Sequence, residues 1–234
     1  MRSVSADGKD RQDSPQPVGP FRRVVAGDSL HRTRLHDEKG NALPLSELRH
    51  VPYDAYLTLR RLATGRLPEL PWIPFNAIQR IGNLLEPGWD MVEFGSGMST
   101  AWYARRVARL QSIEHDAGWH KRISKTIPKN VRYDLRSEDG YATLADREDG
   151  SIDFAVIDGI LRGDCMAEVI PKIKPGGWIY LDNSDKDMTV PNGQIRKAER
   201  LLRNAIEDRS GHLEQRTGLT VGALATSQWT LGRL

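Results

Sequence analysis

The 234-residue sequence predicts an α/β fold: a parallel, doubly wound sheet with an N-terminal helical extension. Three observations predict it. From Asn76 onward, short apolar runs alternate with helical patterns, the rhythm of strands joined by crossover helices. The run Asp90-Met91-Val92-Glu93-Phe94-Gly95-Ser96-Gly97-Met98-Ser99-Thr100 passes from an apolar strand through a Gly-x-Gly turn into a helix. Glu93, Glu114, Asp158 and Asp182 all fall at expected carboxyl ends of strands. An open α/β sheet binds its ligands at those ends, so the four acids should gather around one crevice.

The elements follow in order. Residues 1–20 are polar, with Pro15, Pro17 and Pro20, and are expected to be a disordered tail. Residues 21–75 are rich in arginine (Arg22, Arg23, Arg32, Arg34, Arg49, Arg60, Arg61, Arg66), with His31, His36 and His50 interspersed. A helix is expected over Tyr53 to Thr64, with Tyr56, Leu59 and Ala63 on one face. The segment Leu67 to Phe75 is broken by prolines and cannot be regular helix. This extension is expected to cap a substrate site; a solvated basic surface is the alternative.

Residues 76–234 form the main domain. Asn76 should cap a helix carrying Ile78, Ile81, Leu84 and Leu85 inward, stopped by Pro87-Gly88. The strand Met91 to Phe94 leads through the glycine turn to a helix ending near Arg109. Strand Gln111 to Glu114, helix Ala117 to Thr126 and strand Val131 to Leu135 come next. Strand Ile152 to Ile157 ends at Asp158. A helix over Asp164 to Ile173 precedes Lys174-Pro175-Gly176-Gly177, the lead-in to strand Trp178 to Leu181, which ends at Asp182. Helix Gln194 to Glu207 places Ile195, Ala198, Leu202 and Ala205 on one face. His212 to Leu219 and Ser227 to Leu231 read as the last two strands.

Composition bounds the function. Hydrophobic residues make up 38%, low enough that part of the chain is expected to be loosely ordered. The net charge of +3 is too mild to imply a nucleic-acid partner by itself. The single cysteine, Cys165, excludes an internal disulfide and fits a reducing compartment. With no apolar run of membrane-spanning length and no secretory leader, a cytoplasmic protein with no membrane partner is expected.

The glycine turn suits a nucleotide-type cofactor. Gly95 and Gly97 allow a tight turn and a close approach of ligand to backbone. The helix that follows turns free N–H groups toward the ligand, and Ser96 and Ser99 flank the approach. A dinucleotide fingerprint wants a third glycine where Thr100 stands. Glu93, two residues before the first glycine, would face a pyrophosphate with negative charge. That placement disfavours NAD and suits a cofactor with a cationic amino group and a sulfonium, such as S-adenosylmethionine. Glu114 lies 19 residues after Gly95, near the ~20-residue interval at which an acid meets ribose hydroxyls.

With these residues in place, the chain resembles the class I S-adenosylmethionine-dependent methyltransferases from Asn76 to the C-terminus. The matching pieces are Val92-Glu93-Phe94-Gly95-Ser96-Gly97, Ser112-Ile113-Glu114-His115-Asp116, Ile157-Asp158-Gly159, and Lys174-Pro175-Gly176-Gly177 with Leu181-Asp182-Asn183. The form Phe-Gly-Ser-Gly-Met-Ser-Thr looks most like small bacterial methyltransferases. The resemblance implies a Rossmann-like, seven-stranded sheet whose last strand is antiparallel. It implies that the methionine part of the cofactor lies on Gly95 and Gly97 near Glu93. Glu114 would take the ribose hydroxyls, Asp139 the adenine amino group, and Asp158 would sit near the sulfonium and the acceptor.

Methyl transfer needs alignment and, for a hydroxyl, a base. Asp158 and Asp182 are the candidate catalytic residues; Asp185 and the N-terminal histidines are lesser ones. Methyltransferases acting on base amines usually carry Asn/Asp-Pro-Pro-aromatic after the fourth strand, where this chain has Asp158-Gly159-Ile160-Leu161. A hydroxyl of a small molecule or glycan is therefore the acceptor expected, with a nucleic acid disfavoured. Metal-dependent O-methyltransferases hold Mg²⁺ with Asp after the fourth strand and Asp-Asn after the fifth. Asp158, Asp182 and Asn183 match those types, but Leu161 stands where that family has Lys, and a metal is not favoured. Arg162 and Lys186 could hold an anionic substrate. Cys165 is read as a core residue. The other readings are a nicotinamide-dependent oxidoreductase and a non-catalytic protein binding RNA through its arginines.

Overall fold

The computed structural model describes residues 32–234. The expected tail, and residues 21–31 of the extension with His31, lie outside the described residues. Seven strands form one sheet: β1 (Asp90–Phe94), β2 (Arg109–Glu114), β3 (Val131–Leu135), β4 (Ile152–Ile157), β5 (Ile173–Leu181), β6 (His212–Thr220) and β7 (Ala225–Arg233). Their order is β3-β2-β1-β4-β5-β7-β6. The pairs β1–β2, β1–β4, β2–β3 and β4–β5 are parallel. Strand β7 runs antiparallel to both β5 and β6. This is the α/β sheet with an antiparallel last strand that the sequence and its resemblance led us to expect. The chain winds outward from β1 to β3 and then returns to β4 on the other side of β1. The carboxyl ends of β1 and β4 therefore flank the point where the winding reverses, the position at which such sheets bind ligands.

Among the described residues, six α-helices accompany the sheet: α1 (Val51–Thr64), α2 (Phe75–Gly82), α3 (Met98–Ala104), α4 (Ala117–Ile123), α5 (Arg162–Val169) and α6 (Gln194–Asp208). The period-2 alternation of β1 splits its side chains between two cores. Met91 joins Ile81, Tyr103, Phe154, Tyr180 and Trp229 under α2 and α3. Val92 and Phe94 join Ile157, Met166, Val169 and Leu202 under α5 and α6. Each such side chain contributes about 1.5–3 kcal/mol relative to exposure. Cys165 is wholly buried in the second core, as expected.

Several boundaries differ from expectation, each for a local reason. Helix α3 stops at Ala104 instead of near Arg109, because Ala108 and Arg109 donate their N–H groups back to the Trp89 carbonyl and start β2. Asn76 does not cap α2; Pro74 holds that position. The Asn76 side chain instead donates to the Thr217 carbonyl (3.0 Å) and accepts from Trp229 Nε1 (2.8 Å), fastening α2 to the last two strands. Helix α5 begins at Arg162 and ends at Val169, and Ile173 belongs to β5. Lys174-Pro175-Gly176-Gly177 is part of β5, carried through an irregularity in its register with β4.

The face of α1 is the larger correction. Tyr56 and Leu59 are 55% and 66% exposed, whereas Asp54 and Leu57 are buried. A polar anchor outweighs the apolar stripe here. Asp54 accepts the backbone N–H groups of Gly222 and Leu224, in the β6–β7 turn. Removing it strands two donors in a buried place. Asp54→Ala should therefore lower unfolding free energy by about 2–4 kcal/mol in a urea titration. Further along the extension, Asp37 takes the Thr217 hydroxyl at 2.7 Å and Lys39 pairs with Glu199 at 3.0 Å. Residues 34–64 are thus tied to the β6–β7 hairpin and to α6.

Candidate functional site

The turn after β1 is built by close backbone contact. Gly95 has φ +92°, and a Cβ on it would lie 2.7 Å from the Gly159 nitrogen and 2.8 Å from the Asp158 carbonyl carbon. A Cβ on Gly159 would run into the Tyr141 hydroxyl. The ends of β1 and β4 therefore touch, with the buried Tyr141 ring as their support. Gly97 differs. Its backbone is extended, and a Cβ there would meet nothing closer than Ser99 Oγ at 3.7 Å. Protein packing fixes Gly95; at Gly97 there is space for a ligand to lie against bare backbone.

Glu93 sits directly beneath this turn and is wholly buried. Its carboxylate accepts the hydroxyls of Ser99, Thr100 (2.7 Å) and Ser112 (2.6 Å). Burial pushes its pKa up to about 7, against the lowering effect of those three hydroxyls. The Thr100 hydroxyl also accepts the Gly97 N–H at 3.1 Å. A third glycine at position 100 would lose both bonds, which gives the departure from a dinucleotide fingerprint a structural reason. Ser112 was missed in the sequence. It lies opposite Glu93 on β2, a register that only the sheet sets.

Glu114 closes the other side of the turn. Its Oε2 accepts the Ser96 N–H (3.1 Å) and hydroxyl (2.7 Å); its Oε1 accepts the N–H groups of His115 and Asp116 at 2.8 and 2.9 Å. Ser96 is held further by Tyr133 (2.6 Å) and by Trp119 Nε1 on its carbonyl (2.8 Å). The residues expected to bind cofactor, Glu93, Gly95, Ser96, Gly97, Ser99 and Glu114, thus gather around one turn, Ser99 bonded to Glu93 and Ser96 to Glu114. Asp139 stands apart. It is exposed, on a short 3₁₀ turn (Glu138–Gly140), and opens on a separate cleft with Leu161 and Asp164.

Across the switch point lies an acid pair. Asp158 keeps 28% side-chain exposure, while Asp182 is buried and takes the Tyr180 hydroxyl at 2.7 Å. The two carboxyl groups face each other. Burial and then the Asp182 charge raise the Asp158 pKa well above its usual range; burial also raises Asp182, partly offset by Arg162. Arg162 is no free anion clamp. Its guanidinium bonds the Gly159 carbonyl (2.9 Å), the carbonyl and carboxylate of Asp158 (both 3.1 Å) and the Asp182 carbonyl. It locks the ends of β4 and β5 together. Tyr103, unnoticed in the sequence, places a wholly buried hydroxyl without a hydrogen-bond partner in the field of Glu93, Asp158 and Asp182.

The lesser candidates are placed elsewhere. Asp185 is a structural acceptor for the backbone N–H groups of Glu38 and Gln228. His36 bonds Thr33 at 2.8 Å. Lys186 is exposed. The residues do not fit a divalent cation well. Arg162 already provides the positive charge on Asp158, Tyr180 occupies Asp182, and Asn183 is a left-handed turn residue with φ 49°. Among the described residues, no group of three or more His, Cys, Asp or Glu is placed to hold a metal.

Residues 92–184 match the family profile described as a methyltransferase domain. These residues carry a methyltransferase domain. No curated protein matches it in sequence. Among solved structures, the O-methyltransferase TomG of Streptomyces achromogenes, involved in tomaymycin synthesis and determined in complex with S-adenosylmethionine, superposes with TM-score 0.56. It shares 19% identity, over 82% of this chain and 99% of that one. A Staphylococcus aureus protein assigned as a caffeoyl-CoA O-methyltransferase gives TM-score 0.53 and 11% identity over 81% of this chain and 99% of that one. A Lactococcus lactis protein assigned as a hemolysin gives 0.50 and 12%, over 68% and 85%. At these identities the likeness is one of fold. Among the described residues, no helix is long and apolar enough to cross a membrane.

Proposed function

We propose that this methyltransferase uses S-adenosylmethionine to methylate a hydroxyl of a small molecule or sugar. The observation that carries the reading is the unit made by Gly97, Glu93 and Glu114, with the Asp158–Asp182 pair at the adjoining strand end. Gly97 offers open backbone above the carboxylate of Glu93, which favours a cationic ligand group once ionised. A ribose diol reaches Glu114 by exchanging with the Ser96 hydroxyl, which already donates to it. Gly95 shapes the turn, Ser99 holds Glu93, and Asp158 completes the cofactor set. When bound, the cofactor supplies an electrophilic methyl group.

The chain's own part is to align the acceptor and move one proton. Burial raises the pKa of both Asp158 and Asp182, and the ionised carboxylate of the pair can take the proton of an attacking hydroxyl. Arg162 and Tyr180 hold the pair in position. Residues 32–75 of the extension serve as a cap: Leu67 and Glu69 lie beside Met98, the residue after Gly97. A nicotinamide cofactor fits less well, since its pyrophosphate would lie over the Glu93 carboxylate.

Calorimetry tests this directly. The folded protein should bind S-adenosylmethionine and S-adenosylhomocysteine with micromolar affinity in EDTA, unchanged by Mg²⁺. Asp182→Asn should retain that affinity and slow acceptor turnover by about 10²–10⁴-fold. Folded protein that binds neither ligand would exclude the proposal.

A further inference from the structure

Beside the glycine turn, on the side of α3 and α4, a cleft of about 420 Å³ is lined by Arg60, Arg66, Leu67, Glu69, Met98, Arg122, Ile123 and Thr126. Three arginines line it, and among the described residues none of the three is paired with a carboxylate. Arg60 carries a second sign of a missing partner. Its Nε is shielded from solvent and makes no hydrogen bond. Its guanidinium leans over Tyr56, and that of Arg122 over Trp119, at 5.8 and 5.4 Å from the ring centroids. A guanidinium held over a ring face keeps its in-plane N–H donors available. Glu69 brings one negative charge to the cleft against three positive ones; an anion with several acceptor oxygens offsets the remaining repulsion and satisfies the orphan donor. Leu67, Met98 and Ile123 add an apolar wall, so the cleft suits an anionic group carried on an organic body.

We propose that this cleft is an anion subsite, and that the methyl acceptor bears a phosphate or carboxylate held by Arg60, Arg66 and Arg122. The assignment to the acceptor rests on the methyltransferase reading above. The cleft reaches Met98, one residue from the backbone on which the cofactor is placed, and the extension supplies Arg60 and Arg66 from one side while α4 supplies Arg122 from the other. An anionic acceptor thus bridges the extension and the domain.

The test uses the full chain and inorganic pyrophosphate as the probe, by calorimetry at low salt. Pyrophosphate should bind the wild type. The double variant Arg66→Ala/Arg122→Ala should weaken it by at least about tenfold, since each charged hydrogen bond is worth that much. These two side chains are surface-exposed, so the variant should melt at the wild-type temperature. Binding of S-adenosylhomocysteine, measured on the same samples, should be unchanged. No pyrophosphate binding by folded wild type, or equal affinity in the variant, would overturn the subsite. Loss of S-adenosylhomocysteine binding by the wild type with pyrophosphate binding intact would overturn the cofactor reading alone. A single-stranded RNA 12-mer serves as the contrast. If it bound far more tightly than pyrophosphate, with affinity falling steeply as salt rises, a small anionic acceptor would be overturned in favour of RNA.

Discussion

Gly97→Asp should fold as the wild type does and lose S-adenosylhomocysteine binding by at least about 100-fold, close to 3 kcal/mol. The neighbouring glycine should behave in the opposite way. Gly97 is extended, with no protein atom closer than 3.7 Å to the place of a Cβ, so a side chain there costs the fold little. It fills the space above Glu93 that the proposed cofactor needs, and adds a second negative charge. Gly95 is in the left-handed region, and any side chain on it would press into the backbone of Asp158 and Gly159 at 2.7–2.8 Å. Neither backbone can move without separating β1 from β4. Gly95→Ala should therefore destabilise the domain, by about 3 kcal/mol or more. Thermal unfolding and calorimetry on the same preparations separate the two. Wild-type affinity in Gly97→Asp would mean that the ligand does not lie on this turn.

Glu93 predicts a pH dependence of both stability and binding. Its pKa is about 7 in the folded chain against an ordinary 4.5, so the native state holds a proton that the unfolded state has released between those values. Stability from this group is complete below about pH 4.5 and is lost as pH rises through about 7. At about 1.4 kcal/mol per pH unit, the loss comes to about 3–4 kcal/mol and then levels off. In urea titrations from pH 5 to pH 8, the wild type should show this decline and Glu93→Gln should not, leaving the variant the more stable protein at pH 8. Binding should show the reverse trend. A cationic ligand group above the turn favours the ionised carboxylate. Wild-type affinity for S-adenosylhomocysteine should therefore rise with pH up to about 7, with a proton released on binding, detectable in buffers of different ionisation enthalpy. In Glu93→Gln the profile should be flat. Identical profiles for the two proteins would remove Glu93 from the site.

The sequence by itself determined the sheet and the position of its crevice. Period-2 apolar runs and glycine turns are local signals, and β3 and β4 begin and end at the residues expected for that reason. Spacing alone placed Gly95, Gly97 and Glu114 around one turn and put Asp158 and Asp182 at neighbouring strand ends. The partners of those acids were decided by tertiary structure. Ser112, Tyr133, Tyr103 and Tyr180 reach the site from other strands or from a buried helix face, and no linear spacing encodes a contact across strand order. Arg162 reads in sequence as a group that could hold an anionic substrate, because a single charge carries no sign of what it will bond. Helix α1 shows the same limit. Its Tyr56 and Leu59 stripe reads as the inward face, yet Asp54 turns inward, because two unpaired backbone N–H groups of a hairpin more than 160 residues away require a buried acceptor.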